Sequence, residues 1–267
     1  MKVWAVSNQK GGVGKTTTVI SLGGLLFSWG FRTLLVDLDP HGALTSYFKM
    51  NPDDIKGSVY NLFQDASQKK RNIGPAPYIV KTDFDGLSVL PAATAIATLD
   101  RQVAGMGGMG LVISGALNKV QDDYDYVLID SPPMLGVLMI NALAACEQLI
   151  IPVLAEFLAL KGLERMMHTL GMVYHAKSTP PHYTIVPTMF DRRTRAAIDS
   201  LHVLQEKYPQ FLWNSVIPVD TKLREASKTG QPISLYMPEA KSVAAYSQLL
   251  DQLLLFNHAD AHKSAVV

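Results

Sequence analysis

A chain of 267 residues with 48% hydrophobic and 18% charged content is long enough to bury one sizeable α/β core and reads as soluble and globular. A net charge of +1 excludes a positive field over the whole surface, so any nucleic-acid contact has to come from a local patch. The single cysteine, Cys146, excludes an internal disulfide and a cysteine metal cluster, and it points to a reducing cytoplasm.

In chain order, short runs rich in Val, Ile and Leu predict strands at 3–7, 33–37, 87–90, 126–130, 149–153, 184–186 and 216–217. Helical patterns fall between them at 15–29, 111–120, 135–144, 162–175, 194–207 and 240–255. Strands that are apolar without alternation suit a parallel sheet covered on both faces. Strand and helix by turns imply right-handed crossovers and a doubly wound α/β fold. The opening residues 1–7 read as a first strand entering a loop rather than as a signal peptide. The longest apolar runs, such as 149–154, stop far short of a membrane span. The Gly/Met-rich segment 105–110 is expected to be a flexible connection, and 258–267 to fray, leaving one domain over 1–257.

The first strand runs into Gln9-Lys10-Gly11-Gly12-Val13-Gly14-Lys15-Thr16-Thr17. Glycines here let consecutive backbone N–H groups turn inward around phosphate oxygens, and the helix that follows puts its positive end at the anion. Lys15 is placed to reach the β- and γ-phosphates, and the Thr16 hydroxyl to ligate Mg²⁺. Glycine usually stands where this chain has Gln9, so the loop is a deviant Walker A motif with an added lysine, Lys10, five residues before Lys15. The spacing does not fit the G-x-G-x-x-G fingerprint of dinucleotide folds.

Two acidic strand ends complete the expected site. In Leu34-Leu35-Val36-Asp37-Leu38-Asp39-Pro40, one carboxylate can hold a metal-bound water while the other orients the attacking water. Asp39 is assigned to the attacking water and Asp37 to the surroundings of the metal. Tyr126-Val127-Leu128-Ile129-Asp130-Ser131-Pro132-Pro133 has Walker B form, with Asp130 contacting Mg²⁺ through water.

These motifs resemble the ParA/MinD family of deviant Walker A ATPases, and the resemblance spans about 1–255. It implies an ATP- and Mg²⁺-dependent sandwich homodimer in which Lys10 of each subunit crosses to the other's phosphates. It also implies weak basal hydrolysis stimulated by a partner of ParB-like or polar-organiser type. The later half is similar to ParA rather than MinD, through Thr188–Thr194 and the run from Ile217-Pro218 to Leu223-Arg224-Glu225-Ala226. By that similarity Met189 and Pro218 pack near the adenine. The chain departs from the family at His41, where glutamine is usual after the proline, and it lacks the N-terminal helix-turn-helix extension of some plasmid partition ATPases. Among short types it looks most like the orphan ParA-like proteins, often called ParC, that place chemotaxis arrays at cell poles. Chromosome or plasmid segregation stays open. The lone Cys146 sets it apart from the related nitrogenase iron protein, which bridges a cluster with two cysteines per subunit.

Arg192, Arg193 and Arg195 crowd the start of a helix, where cations oppose the macrodipole, and Lys222, Arg224 and Lys228 follow in a second short helical stretch. In the family such residues form a sequence-independent DNA track. A solvated or partner-facing surface is the alternative, with Asp191, Asp220, Glu225 and Glu239 weakening the field. MinD-like membrane targeting is disfavoured, because the last helix ends with Asp251 and no Lys or Arg in its final turns up to 255. The sequence therefore suggests a cytoplasmic ATP-driven positioning switch, on the nucleoid or at cell poles. A nucleotide-stabilised scaffold and a metabolic ATPase acting on a small carboxylate or amine are the alternatives.

Overall fold

The computed structural model describes residues 1–70, 74–174 and 181–264. Among them the chain runs β1 (Lys2–Val6), α1 (Lys15–Ser28), β2 (Thr33–Asp37), α2 (Ala43–Tyr47), α3 (Val59–Ser67), β3 (Val80–Lys81) and β4 (Leu87–Leu90). It continues through α4 (Leu99–Gln102), α5 (Val112–Leu117), β5 (Tyr126–Asp130), α6 (Val137–Ala145), β6 (Gln148–Leu154) and α7 (Phe157–Tyr174). The last part is β7 (His182–Thr188), α8 (Arg195–Lys207), α9 (Lys222–Thr229), α10 (Ile233–Tyr236) and α11 (Lys241–Ser264). The strands form one seven-stranded sheet ordered β3-β4-β2-β5-β1-β6-β7, parallel except where the two-residue β3 pairs with β4.

Strand alternation sends successive side chains to opposite faces, and each face is roofed by helices. Trp4 and Val6 of β1, Leu35 of β2 and Leu128 of β5 pack with Leu22, Leu26, Tyr246 and Leu249 of α1 and α11. Ala5, Leu34, Val36 and Ile129 pack on the other face with Phe63, Ile113, Leu143 and Leu163 of α3, α5, α6 and α7. Burial on both sides explains why the strands read as unbroken apolar runs. β1 lies between β5 and β6 in the middle of the sheet, so the crevice beyond its carboxyl end is where a ligand seats in such folds.

Two expectations change, the strand at 216–217 and the end of the last helix. The strand at 216–217 is reduced to an isolated bridge between Phe190 and Pro218. Ile217 donates to the Pro187 carbonyl at 2.8 Å and accepts from the Phe190 N–H at 3.0 Å, but prolines at 187 and 218 supply no N–H to extend a ladder. The 105–110 segment leads into a tied turn: buried Asn141 donates to the Met109 carbonyl (2.7 Å) and accepts from the Ile113 N–H (3.0 Å). Backbone helix in α11 continues to Ser264, past the expected end at 255, and its buried Val243, Tyr246, Leu249, Leu250 and Leu253 belong to the core. The expected helix end at His175 lies outside the described residues. Among the described residues no helix is long and apolar enough to cross a membrane.

Candidate functional site

The loop between β1 and α1 is pinned at its start by Asn8. Its buried amide donates to the Pro152 carbonyl (2.7 Å), and its side-chain oxygen accepts from the Lys10 N–H (3.0 Å). Gly12 (φ 72°) and Gly14 (φ 89°) take left-handed conformations that a side chain would strain. Gly11 and Gly12 face open space, so the backbone there is accessible to a ligand. Val13 is fully buried, and its carbonyl accepts from the Thr188 hydroxyl (2.9 Å), which fixes the loop to the end of β7. The N-terminus of α1 has no side-chain cap and no acidic residue in its first turn. Its first N–H groups and dipole are left for an anion. Lys15 is 7% exposed, with Nζ 3.4 Å from the Lys10 carbonyl. Burial lowers its pKa, while the fields of Asp130 and Asp39 oppose that shift.

Asp37 and Asp130 end adjacent strands in direct register, and both are fully buried. Asp37 spends both oxygens on the chain. Oδ2 accepts from the Thr45 N–H (2.8 Å) and hydroxyl (2.7 Å), and Oδ1 accepts from the Asp39 N–H (3.1 Å). Thr45 Oγ1 accepts in turn from the Ala92 N–H (2.9 Å), which ties the loop after β2 to the end of β4. Burial pushes the Asp37 carboxyl up to about 6 even though these bonds favour its charged form. The sequence assigned Asp37 to structure around the metal; its bonds clamp this loop in register with Asp130.

Asp130 is different. Oδ2 accepts from the Thr16 hydroxyl at 2.6 Å, but Oδ1 is buried with no hydrogen-bond partner. Burial, then the neighbouring Asp37, raise its pKa well above the ordinary value. An orphaned carboxylate oxygen beside a threonine hydroxyl offers hard oxygens of the kind Mg²⁺ takes, with water to complete its shell. Asp39, at the mouth, is 14% exposed and accepts from the His41 N–H (3.0 Å) and ring (2.8 Å) through Oδ1.

Lys10 points to its own subunit's Glu156, with which it forms an ion pair just before α7. A Cβ placed on Gly162 would stand 3.5 Å from Lys10 Cβ, so the lysine lies across the start of that helix. Gln9, the residue that makes the loop deviant, donates to Thr169 of α7 at 2.8 Å. Sequence reasoning missed Glu156, Thr45 and Asn8. They lie far from the loop or carry no motif of their own, and only tertiary contact brings them together.

Beside the loop is a cavity of about 490 Å³. Gly14, Thr16 and Thr17 line one end, and Met189, Ile217, Pro218 and Leu223 give it an apolar wall. Met189 and Pro218 thus line one cavity with Gly14, Thr16 and Thr17 of the phosphate loop. Met189 holds a positive φ of 50°, and its Cε is 3.8 Å from where a Gly14 Cβ would be. Arg224 also lines this cavity, which sets it apart from the outward basic residues. Arg193 is paired with Asp191 through two nitrogens (2.9 and 2.7 Å), and this pairing depresses the Asp191 pKa to about 2. Lys222 approaches Glu239 at 3.8 Å, and Arg195, 93% exposed, approaches Asp199 at 3.8 Å. Arg192 is exposed. The five basic residues do not form one free patch.

Fold and site together define a P-loop nucleoside-triphosphate-binding protein with a deviant Walker A loop. The family model for the AAA domain matches residues 1–180, which hold all three motif loops. The chain is 34% identical over 253 residues to the sporulation initiation inhibitor protein Soj of Bacillus subtilis, covering 94% of this chain and 98% of that one. It is 32% identical over 254 residues to the chromosome partitioning protein ParA of Myxococcus xanthus, covering 95% and 88% respectively. Among solved structures it is similar to cobyrinic acid a,c-diamide synthase of Mycobacterium smegmatis with bound ATP analog and magnesium. That match has 33% identity and a TM-score of 0.79, over 95% of this chain and 94% of that one. The chain belongs to the ParA/MinD family, on its Soj/ParA side.

Proposed function

We propose that this chain, as one nucleotide-binding domain over 1–257, is an ATP hydrolase that works as a partner-controlled positioning switch in the cytoplasm. The observation that carries the reading is the phosphate loop: two left-handed glycines, an uncapped helix N-terminus and the buried Lys15 beside Thr16 and the orphaned Asp130 oxygen. In this reading Lys15 and the loop amides hold the β- and γ-phosphates, and Met189 and Pro218 flank the adenine. Thr16 and Asp130 would hold Mg²⁺, which supplies charge neutralisation on the phosphates when bound. Asp39 presents a carboxylate oxygen to the attacking water.

Lys10 leaves Glu156 and crosses to the phosphates of a second copy, so nucleotide occupancy and dimerisation are coupled. Exposed Met134, Leu135, Phe157 and Leu158 support this step, because they follow β5 and β6 at the carboxyl edge where the loop lies. The partitioning relatives support segregation or positioning as the role, with a ParB-like or polar-organiser partner stimulating turnover. The cargo is chromosomal or plasmid DNA, or a polar chemotaxis array as in the orphan ParC type. Non-specific DNA contact would come from Arg192, Arg195 and, once released from their acidic neighbours, Arg193 and Lys222.

The likeness to a diamide synthase favours one second reading, a metabolic ATPase of the same fold. Steady-state ATP hydrolysis with and without DNA, partner or small carboxylate separates the two. Stimulation by DNA or partner supports the switch, and a rate that depends on a small molecule supports the synthase-like reading. Absence of turnover under every condition supports a nucleotide-stabilised scaffold. Lys15→Ala is expected to weaken nucleotide binding at least tenfold, since a charge-assisted bond is worth roughly 1.5–3 kcal/mol; equilibrium binding of ATP with Mg²⁺ checks it.

A further inference from the structure

We infer that His41 is a positioning residue for hydrolysis: its ring fixes which oxygen of Asp39 faces the attacking water. The inference rests on the reading of Asp39 as the carboxylate that orients that water.

The turn that carries both residues is rigid. Pro40 fixes one φ, and the Gly42 N–H donates to the Asp39 carbonyl at 2.9 Å. Gly42 takes a left-handed φ of 59°, and a Cβ on it would stand 2.4 Å from Pro52 Cγ, so the turn is pressed against that proline. Within this frame the His41 N–H and Nδ1 both reach Asp39 Oδ1, at 3.0 and 2.8 Å. Against a carboxylate oxygen the ring can only donate, so this contact is a hydrogen bond with the proton on Nδ1, and the side chain is otherwise 83% exposed. Asp39 Oδ2 takes no donor among the described residues.

One backbone bond does not settle a carboxylate, because the terminal torsion of aspartate is broad and nearly two-fold. A second donor on the same oxygen, from a different direction, does. It commits Oδ1 to the turn and leaves Oδ2, at the mouth of a site where Lys15 already feels the Asp39 charge, to accept from water. Nothing else among the described residues makes a side-chain bond to Asp39. His41 thus acts through Asp39 and is not placed to touch the phosphates by any contact seen here.

The test uses the full chain with ATP and Mg²⁺, reading phosphate release and equilibrium ATP binding for His41→Ala, His41→Asn, Asp39→Ala and the double variant Asp39→Ala/His41→Ala. Asparagine carries its amide nitrogen at the reach of Nδ1 and keeps the bond. His41→Ala is expected to lower kcat about tenfold, with KM and ATP affinity within about twofold. His41→Asn should retain most of the wild-type kcat, and the double variant should be no slower than Asp39→Ala alone. An unchanged kcat in His41→Ala, with Asp39→Ala inactive, overturns the inference and leaves the Asp39 reading intact. A loss that asparagine does not rescue, or one matched by lost ATP affinity, makes His41 structural and also overturns it. If Asp39→Ala turns over at the wild-type rate, the Asp39 reading fails and the inference fails with it.

Discussion

Two buried carboxylates on adjacent strands, Asp37 and Asp130, put negative charge in a place that costs stability until a cation arrives. Asp37 shows the sign of that cost. Burial raises its carboxyl from the ordinary 3.8 to about 6. A raised acid holds its proton longer in the folded chain than in the unfolded one, so folding stability falls as pH rises from about 4 to about 6. Asp37→Asn removes that component. Urea unfolding of both proteins without nucleotide, at several pH values across this window, should show the wild type losing ground to the variant as pH rises. A constant difference contradicts the assignment.

Lys10 makes a second case at this scale. Its ion pair with Glu156 is partly exposed, at 27% and 50% for the two side chains, and pairs of this kind contribute about 0–1 kcal/mol. That is a weak hold, compatible with the proposed transfer of Lys10 to a second copy. Glu156→Gln should therefore lower the ATP concentration at half-dimerisation by about two- to fivefold. An unchanged midpoint means that the pair does not restrain Lys10.

At the level of elements, the site is a meeting of loops at the carboxyl ends of the strands, and the sequence disclosed them unequally. The phosphate loop, the ends of β2 and β5, and the order of strands and helices were legible, because glycine geometry and unbroken apolar runs are local signals. The two-residue β3 and the short α2, α4 and α10 were not, since four or five residues carry no periodicity; the nine-residue α3 was also missed, although its Ser58 cap is a local signal. The clamp from Asp37 through Thr45 to Ala92 was also hidden, because its members are brought together only by packing. The basic stretch before α8 illustrates the same limit. Sequence places Arg192, Arg193 and Arg195 side by side, but the fold gives Arg193 a two-bond partner in Asp191 and leaves Arg195 nearly free. Arg195→Glu should then weaken DNA retention more than Arg193→Glu and reduce the salt dependence of binding, with ATP affinity unchanged. DNA binding at stepped salt concentrations checks the order; equal effects, or none, remove this segment from the DNA surface.

For the whole molecule, the apolar residues exposed beside the loop and the lysine paired within its own subunit are the features on which the proposed closure of two copies over nucleotide rests. One copy of the chain carries the phosphate loop, the acidic strand ends beside it, and an apolar-walled cavity that Gly14, Thr16 and Thr17 also line. In the proposed reading Lys10 completes the site of a second copy. On that reading hydrolysis would end the paired state, and a stimulating partner would set when that happens.

Sedimentation velocity on Asp39→Ala, with Mg²⁺ and either ATP or ADP, tests this coupling most directly. The account predicts a species of twice the monomer mass with ATP and monomer with ADP, because the variant keeps the phosphate loop and Lys10 but cannot use Asp39 to orient water. A protein that binds ATP yet sediments as monomer under both conditions would contradict it.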